Sequence, residues 1–381
     1  MITQQEQALG TFLSKIADEL NISQTMQEKA VKSYNAVGQW LGAGITYDVK
    51  IMPQGSMNLG TVIRPIDDSD DYDMDLVCLL RNGQNLPLQE IKEIVGNRLK
   101  EHKVYARILE EEGKRCWTMQ YEEFHMDILP CVPRTTYFVE PYHTDIKLTH
   151  KIADGWYEEK FSNPYAYHTW FETRMMDILM DQKREFAIKN EMEIDKVPTY
   201  KMRTPLQKVI QLLKRHRDIC FKNNSDDAPI SIIITTLAAH AYNGEIDVYE
   251  ALCNILAKMA EYIKCQNGVY WVGNPVMVEE NFADKWQTES SKRDAFFKWL
   301  AQAQKELISN PLSCYGINTV AEQYKQVLGH APVDRAVRSL GNDMLSARQN
   351  GKLYINGLNG GISTTPQAGS KPVKEHTFFG Q

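Results

Sequence analysis

Residues 53–80 read PQGSMNLGTVIRPIDDSDDYDMDLVCLL, and six aspartates (Asp67, Asp68, Asp70, Asp71, Asp73 and Asp75) crowd into nine positions just before the apolar run Leu76-Val77-Cys78-Leu79-Leu80. An apolar run of that length, rich in branched residues, predicts a buried strand over 73–80. Side chains alternate along a strand, so Asp73 and Asp75 share one face while Met74, Leu76 and Cys78 take the other. Two carboxylates held that close repel each other, and burying either one unpaired is costly. A divalent cation removes the conflict, and hard oxygen ligands suit Mg²⁺ or Mn²⁺. Asp71 and Asp73 have the same spacing; the Asp73 and Asp75 pair is preferred because the apolar run begins directly after it.

Working outward, HMDILP at 125–130 places Asp127 in the middle of a second predicted strand, between Met126 and Ile128-Leu129. A third carboxylate lets such a site hold two ions roughly 3.5–4 Å apart, flanking an in-line phosphoryl displacement. Asp127 is the expected neighbour of the attacking 3′-hydroxyl. On the other side, alternation at 47–51 predicts a strand ending in the turn 53–56, with Gly55-Ser56 opening a short helical stretch. Backbone N–H groups and the Ser56 hydroxyl there would meet a phosphate, with Gln54 as a further amide donor. An isolated D-x-D is most often a solvated acidic loop. The order strand, Gly-Ser, helix, D-x-D strand, strand Asp is what sets this one apart.

The 381 residues suffice for two lobes. Lys and Arg number 43 against 49 Asp and Glu, a net charge of −6, so the chain lacks the overall basic excess of a protein drawn to nucleic acid or anionic membrane. Seven scattered cysteines without a C-x-x-C pair, an amino terminus without a basic and apolar leader, and the lack of an 18-residue apolar run give the expectation of a cytoplasmic protein with no membrane segment.

Helical periodicity is expected from Leu9, Phe12, Leu13, Ile16 and Leu20 and from Met26, Ala30, Val31, Tyr34 and Val37, with Thr25 to Glu28 as a capping box. A helix at 88–99 and strands at 104–110, 117–121 and 124–129 follow. From Thr204 the pattern turns helical: TPLQKVIQLLKRHRDICF has an N-cap, Pro205 in the first turn, and Leu206, Val209, Ile210, Leu213, Ile219 and Cys220 inward. The stretches 230–241, 248–263 and 293–307 continue it. The Gly-, Ser- and Pro-containing end reads as a flexible tail. The expected fold class is α+β: a nucleotidyltransferase-type lobe with N-terminal helices at 1–203, a helical lobe at 204–355 and a tail at 356–381.

That motif order resembles the nucleotidyltransferase superfamily of DNA polymerase β, in which G-S precedes a D/E-x-D/E pair and a third acid. More narrowly, QGSMNLGT with YDMDLV, MDILPCVP, LQKVIQLLKRHRD and NPVMVEENFADKW, spanning residues 54–286, resemble the bacterial cGAS/DncV-like nucleotidyltransferases (CD-NTases) of CBASS anti-phage systems. The resemblance implies a polymerase-β-like lobe followed by a helical lobe like those of oligoadenylate synthases and poly(A) polymerases. It also implies a synthase that joins ATP and GTP through 3′-5′ bonds into a cyclic tri- or dinucleotide. Clade D is the most similar subgroup, which points to cyclic AMP-AMP-GMP.

By the same resemblance Gln54, Gly55 and Ser56 hold the triphosphate, Asp73, Asp75 and Asp127 hold two Mg²⁺ or Mn²⁺ ions and carry catalysis, and Lys214 and Ser231 contact phosphate. A compact ammonium beside a triphosphate offsets charge the metals leave uncompensated. The competing reading of Lys214-Arg215-His216-Arg217 is a solvated helix face, since four consecutive side chains cannot address one ligand; His216 is expected to be structural. Asn274-Pro275 and residues 280–286 are expected either to wall the nucleotide pocket, with stacking or amide contacts to a base, or to form a loop capping the next helix, with Phe282 and Trp286 in the core. No Cys/His cluster marks the zinc insert of the animal DNA-sensing relatives, so no obligate DNA activator is expected. A ubiquitin-transferase-like CBASS partner acting on the tail ending Phe378-Phe379-Gly380-Gln381 is a further expectation. The alternatives are a nucleotidyltransferase acting on RNA or protein and a non-catalytic nucleotide-binding scaffold.

Overall fold

The computed structural model of the protein describes residues 3–66, 71–196, 202–356, 362–364, 366 and 369–373. The first half runs α1 (Gln4–Glu19), α2 (Gln24–Gly44), β1 (Val49–Gln54), α3 (Gly55–Asn58), β2 (Tyr72–Leu80), α4 (Leu88–Glu101), α5 (Tyr105–Ile108), β3 (Trp117–Gln120), β4 (Phe124–Pro133), β5 (Ile146–Ala153), β6 (Trp156–Ser162), α6 (Pro164–Thr173) and α7 (Met176–Lys189). The second half holds α8 (Pro205–Cys220), α9 (Ser231–Ala241), α10 (Val248–Lys258), the short strands β7 (Lys264–Gln266), β8 (Val269–Trp271), β9 (Gly273–Asn274) and β10 (Met277–Asn281), then α11 (Ser290–Gln304), α12 (Asn310–Leu312), α13 (Ile317–Leu328) and α14 (His330–Gln349). This is the expected α+β class.

The main sheet has the order β1-β2-β4-β5-β6, with β3 also pairing β4. Its central contact, β2 with β4, is parallel, and its other pairs are antiparallel. Alternation sorts β2 by face. Met74, Leu76, Cys78 and Leu80 join Ala30, Val37, Leu41, Ile91, Val95 and Leu99 of α2 and α4 in one core. Val77 and Leu79 meet Leu129, Cys131, Ile146 and Leu148 on the opposite face.

Three local expectations change. The cap of α2 is Ser23, which accepts from the Met26 N–H at 3.1 Å, because the helix already begins at Gln24 and Thr25 lies inside its first turn. Val31 of that helix is 41% exposed, one position round from buried Ala30. The strand expected at 104–110 is instead a helical turn: Ala106 N–H bonds the His102 carbonyl, Tyr105 stacks on His102 at 4.0 Å, and Leu109 keeps a single bridge to Met119.

The hydrophobic cores do not divide at residue 203. Leu9, Phe12, Leu13 and Ile16 of α1 and Tyr167 and Phe171 of α6 pack into the helical core built on Leu206, Val209, Ile210 and Leu213 of α8. Of the expected tail, Ile362–Ser363 and Ser370–Pro372 pair as strands with Tyr354–Asn356 (β12 and β13 beside β11), so backbone pairing enters where only flexibility was expected. Asp67, Asp68 and Asp70, together with residues 378–381, lie outside the described residues. No helix among the described residues is long and apolar enough to cross a membrane.

Candidate active site

One rung of the sheet gathers four polar side chains. Gln54 of β1 pairs with Asp75 of β2, Asp75 with Asp127 of β4, and Asp127 with Thr118 of β3. Residues paired across a sheet project to the same side, so all four share a face, and Asp73, two residues from Asp75, joins them. It is the face opposite α2 and α4. Asp73 is the exposed member of the set; Asp75 and Asp127 are half-buried.

The carboxylates feel one another. Burial, followed by the charges of Asp127 and Asp73, pushes the Asp75 carboxyl up to about 6. Partial removal from solvent and then the Asp127 charge also raise Asp73. Thr118 donates its hydroxyl to Asp127 Oδ1 at 2.5 Å, fixing that carboxylate. Sequence reasoning missed Thr118; the tight reversal between β3 and β4, where Tyr121 N–H bonds the Phe124 carbonyl, was the signal that sets its register. His125, paired with Asp73, stands 3.1 Å from the Asp71 carboxylate, an ion-pair distance without hydrogen-bond alignment.

The Gly-Ser turn closes on the same rung. Gly55 has φ +64, and a Cβ there would collide with the Asp75 carboxylate, so glycine is required both for the left-handed backbone and for the close approach. Half-buried Ser56 follows it. The helix expected to present an amino terminus is only four residues long, so it offers local N–H groups with little macrodipole.

Lys214 is 6% exposed, and its ammonium donates to the Thr61 carbonyl at 3.0 Å. Burial, then the charge of Arg217, draws it down to about 8. The competing reading, a solvated helix face, fails for Lys214, Arg215 and His216, which are all buried. Gln207 binds the Leu59 carbonyl, Gln211 that of Val62, Lys214 that of Thr61, and Arg215 those of Arg64 and Pro65. A polar stripe at i, i+4, i+7 and i+8 of α8 thus clamps the segment that links the Gly-Ser turn to the acidic strand, which explains why these groups sit inside. Arg217 turns elsewhere, giving Nη1 to Ser231 Oγ at 3.1 Å and to the Pro229 carbonyl. Ser231, first residue of α9, is held by Arg217, whose like charge disfavours the Lys214 ammonium.

Three carboxylates against one nearby buried ammonium leave excess negative charge, and the donor set is all hard oxygen; both suit a divalent cation, which Asp73, Asp75 and Asp127 would hold. A second group, His216, Cys220 and Glu306, has ligand atoms within 4.8 Å of one another. That second cluster is poorly suited to metal. Trp299 donates its indole N–H to His216 Nδ1 at 3.0 Å, so Nε2 carries the proton it shares with Glu306 at 2.9 Å and has no lone pair to offer. His216 thus sits in a closed structural network.

Beside the rung opens a cleft of about 1120 Å³, bordered by Cys116, by Ile230 and Ile232 at the start of α9, and by Glu280, Phe282 and Trp286. Cys116 approaches Thr118 at 3.8 Å, which joins the cleft to the Asp127 end of the rung. Trp286 is core, 4% exposed, as expected of a packing residue, whereas half-buried Phe282 lines the wall of the cleft.

Residues 49–131 match the family described as "Cyclic GMP-AMP synthase DncV-like, nucleotidyltransferase domain". The chain is 28% identical to the c-di-GMP synthase of Roseivirga ehrenbergii, over 98% of this chain and 97% of that protein. It is 22% identical to the cyclic dinucleotide synthase CdnG of Bradyrhizobium diazoefficiens, over 92% of this chain and 88% of that one. The solved structure of that CdnG in complex with GTP superposes with a TM-score of 0.67 at 20% identity, covering 88% of this chain and 99% of the other. Fold and motif together define a nucleotidyltransferase. Residues 49–131 match its DncV-like branch, and over nearly the whole length the chain is similar to CD-NTases.

Thr118 touches the three candidate carboxylates only at Asp127, so with Asp127 in the proposed catalytic role Thr118→Val is expected to lower turnover of nucleotidyl transfer about 10–100-fold with little change in KM for the nucleotide. Steady-state kinetics would show it; an equal effect on KM would point to a general loss of the pocket.

Proposed function

We propose that this protein is a metal-dependent cyclic oligonucleotide synthase that joins nucleoside triphosphates through 3′-5′ bonds, with a guanine-containing cyclic dinucleotide as its product. The observation that carries this is the shared rung of Asp75 and Asp127, with Asp73 beside it and Lys214 within electrostatic reach; none of these residues lines the neighbouring cleft, which approaches the rung through Cys116 and Thr118. The names c-di-GMP synthase and CdnG favour a two-nucleotide ring over the cyclic AMP-AMP-GMP implied by resemblance to clade D. GTP is the first substrate to test and ATP the second. A role in CBASS defence is part of the same reading, supported by the likeness to CdnG.

In this mechanism Asp127, held by Thr118, lies next to the attacking 3′-oxygen, which displaces pyrophosphate from the α-phosphate. Gln54, Ser56 and the N–H groups after Gly55 hold triphosphate oxygens, with Lys214 and Ser231 offsetting and anchoring the charge on the same group. When bound, two Mg²⁺ or Mn²⁺ ions at the three aspartates supply charge neutralisation and a more acidic hydroxyl. The linear dinucleotide then turns within the cleft so that its own 3′-hydroxyl meets the remaining triphosphate.

Mass spectrometry of the products made from all four triphosphates with Mg²⁺ or Mn²⁺ tests the proposal. The expected result is a small, phosphatase-resistant cyclic dinucleotide containing guanine, with pyrophosphate released. Label found only in RNA or protein would replace it with a transferase reading, and nucleotide binding without pyrophosphate release under either metal would leave a scaffold.

A further inference from the structure

The far wall of the cleft carries a carboxylate with no role in phosphoryl transfer. Glu280 sits on β10, which pairs with β9 through Met277 and Asn274 and through Asn281 and Gly273. Asn274 is 5% exposed, and its amide is locked at both ends: the Val276 N–H donates to Oδ1 at 3.0 Å, while Nδ2 donates to Glu280 Oε2 at 2.7 Å. The hairpin therefore fixes which way the carboxylate faces. Glu280 and Phe282 both line the cleft, as does Arg115 across from them. Burial raises the Glu280 carboxyl, and the Asn274 amide and the Arg115 charge oppose that shift.

A carboxylate oriented by one amide keeps acceptor capacity on both oxygens. Guanine presents two adjacent donors, N1–H and the exocyclic N2–H, which match an ionised carboxylate; adenine presents an acceptor beside a donor and does not. A site built to pair with a particular polar edge discriminates strongly, because the wrong base leaves buried polar groups unmatched. We propose that Glu280 reads a guanine in this cleft, accepting hydrogen bonds from N1–H and N2–H while Asn274 holds it in place. This deepens the proposed function and rests on its reading of the cleft as the nucleotide site. It makes Glu280 the residue that selects guanine.

The test is equilibrium binding of the α,β-methylene analogues of GTP and ATP, which are not transferred, to the full chain and its variants. The wild type is expected to favour the guanine analogue at least tenfold, about 1.4 kcal/mol. Glu280→Gln replaces one acceptor with a donor, and should weaken the guanine analogue by tenfold or more while leaving the adenine analogue unchanged or tighter. Glu280→Asp, which keeps the charge but withdraws it, should also lose the preference, with thermal unfolding reporting that the fold is intact. An unchanged guanine-to-adenine ratio in Glu280→Gln, whether both analogues still bind or both are lost, would overturn the assignment and leave Glu280 as a hairpin brace. Binding is read without turnover, so a wild type that prefers guanine yet makes no cyclic product would refute the synthase proposal alone.

Discussion

In the double variant Asp73→Asn with Asp75→Asn, cyclic product is expected to fall at least a thousandfold, on the scale of losing both carboxylates that hold the metal ions. Asparagine preserves shape and hydrogen bonding but removes the charge the ions require. The fold should not suffer. Asp75 binds its proton more tightly folded than unfolded, its carboxyl lying at about 6 against an ordinary value of 3.8. A raised carboxyl contributes stability below the unfolded pKa, and that contribution is lost as pH rises through the folded one, here between about pH 4 and 6. At pH 7.5 without metal, the ionised Asp75 therefore opposes folding, and its neutral replacement should stabilise the protein by on the order of 1–3 kcal/mol. Thermal unfolding at pH 7.5 and pH 5 checks this: the variant should melt higher at pH 7.5, with the gap narrowing to roughly half at pH 5. Persistent synthesis, or a lower melting point at pH 7.5, would contradict the metal-site geometry.

Lys214→Met is the second large effect, expected to lower kcat/KM for GTP about 100-fold, the scale of removing a charge-assisted hydrogen bond from a buried site. Burial holds the ammonium at about 8, below its usual 10.5. The sign is opposite to that of Asp75: a depressed lysine contributes stability above pH 10.5, and that contribution is lost as pH falls through about 8. At neutral pH the charged group therefore carries a cost in the free protein, and an incoming triphosphate offsets it. KM for GTP in the wild type is accordingly expected to rise as pH climbs through about 8 and the ammonium is lost, with kcat changing less. The rise should be absent in Lys214→Met. An identical KM profile in the variant would place the titration elsewhere.

The other tethers of α8 keep that variant's effect local. Gln207 and Gln211 bind the carbonyls of Leu59 and Val62, flanking the Thr61 carbonyl that Lys214 takes. Met at position 214 leaves one carbonyl without its donor while two neighbouring tethers persist, so the Gly-Ser turn should stay in place and the kinetic effect should report the ammonium.

The sequence by itself determined the chemistry on offer. Strand alternation put Asp73 and Asp75 on one face, the apolar neighbours of Asp127 marked it as an acid in a strand, and Gly55-Ser56 marked the turn before them. These follow from periodicities that each segment carries in its own side chains. Only the tertiary structure decided that Gln54, Asp75, Asp127 and Thr118 share one rung, because register between strands distant in the chain is set by packing on both faces of the sheet. Only it turned the basic run of α8 inward, since what buries Lys214 and Arg215 is the set of backbone carbonyls at 61–65 that need their donors. Helix α1 joined the core of a lobe nearly two hundred residues away for the same kind of reason: an amphipathic stripe specifies that it will be buried, and the partner is whichever apolar surface the rest of the fold leaves open.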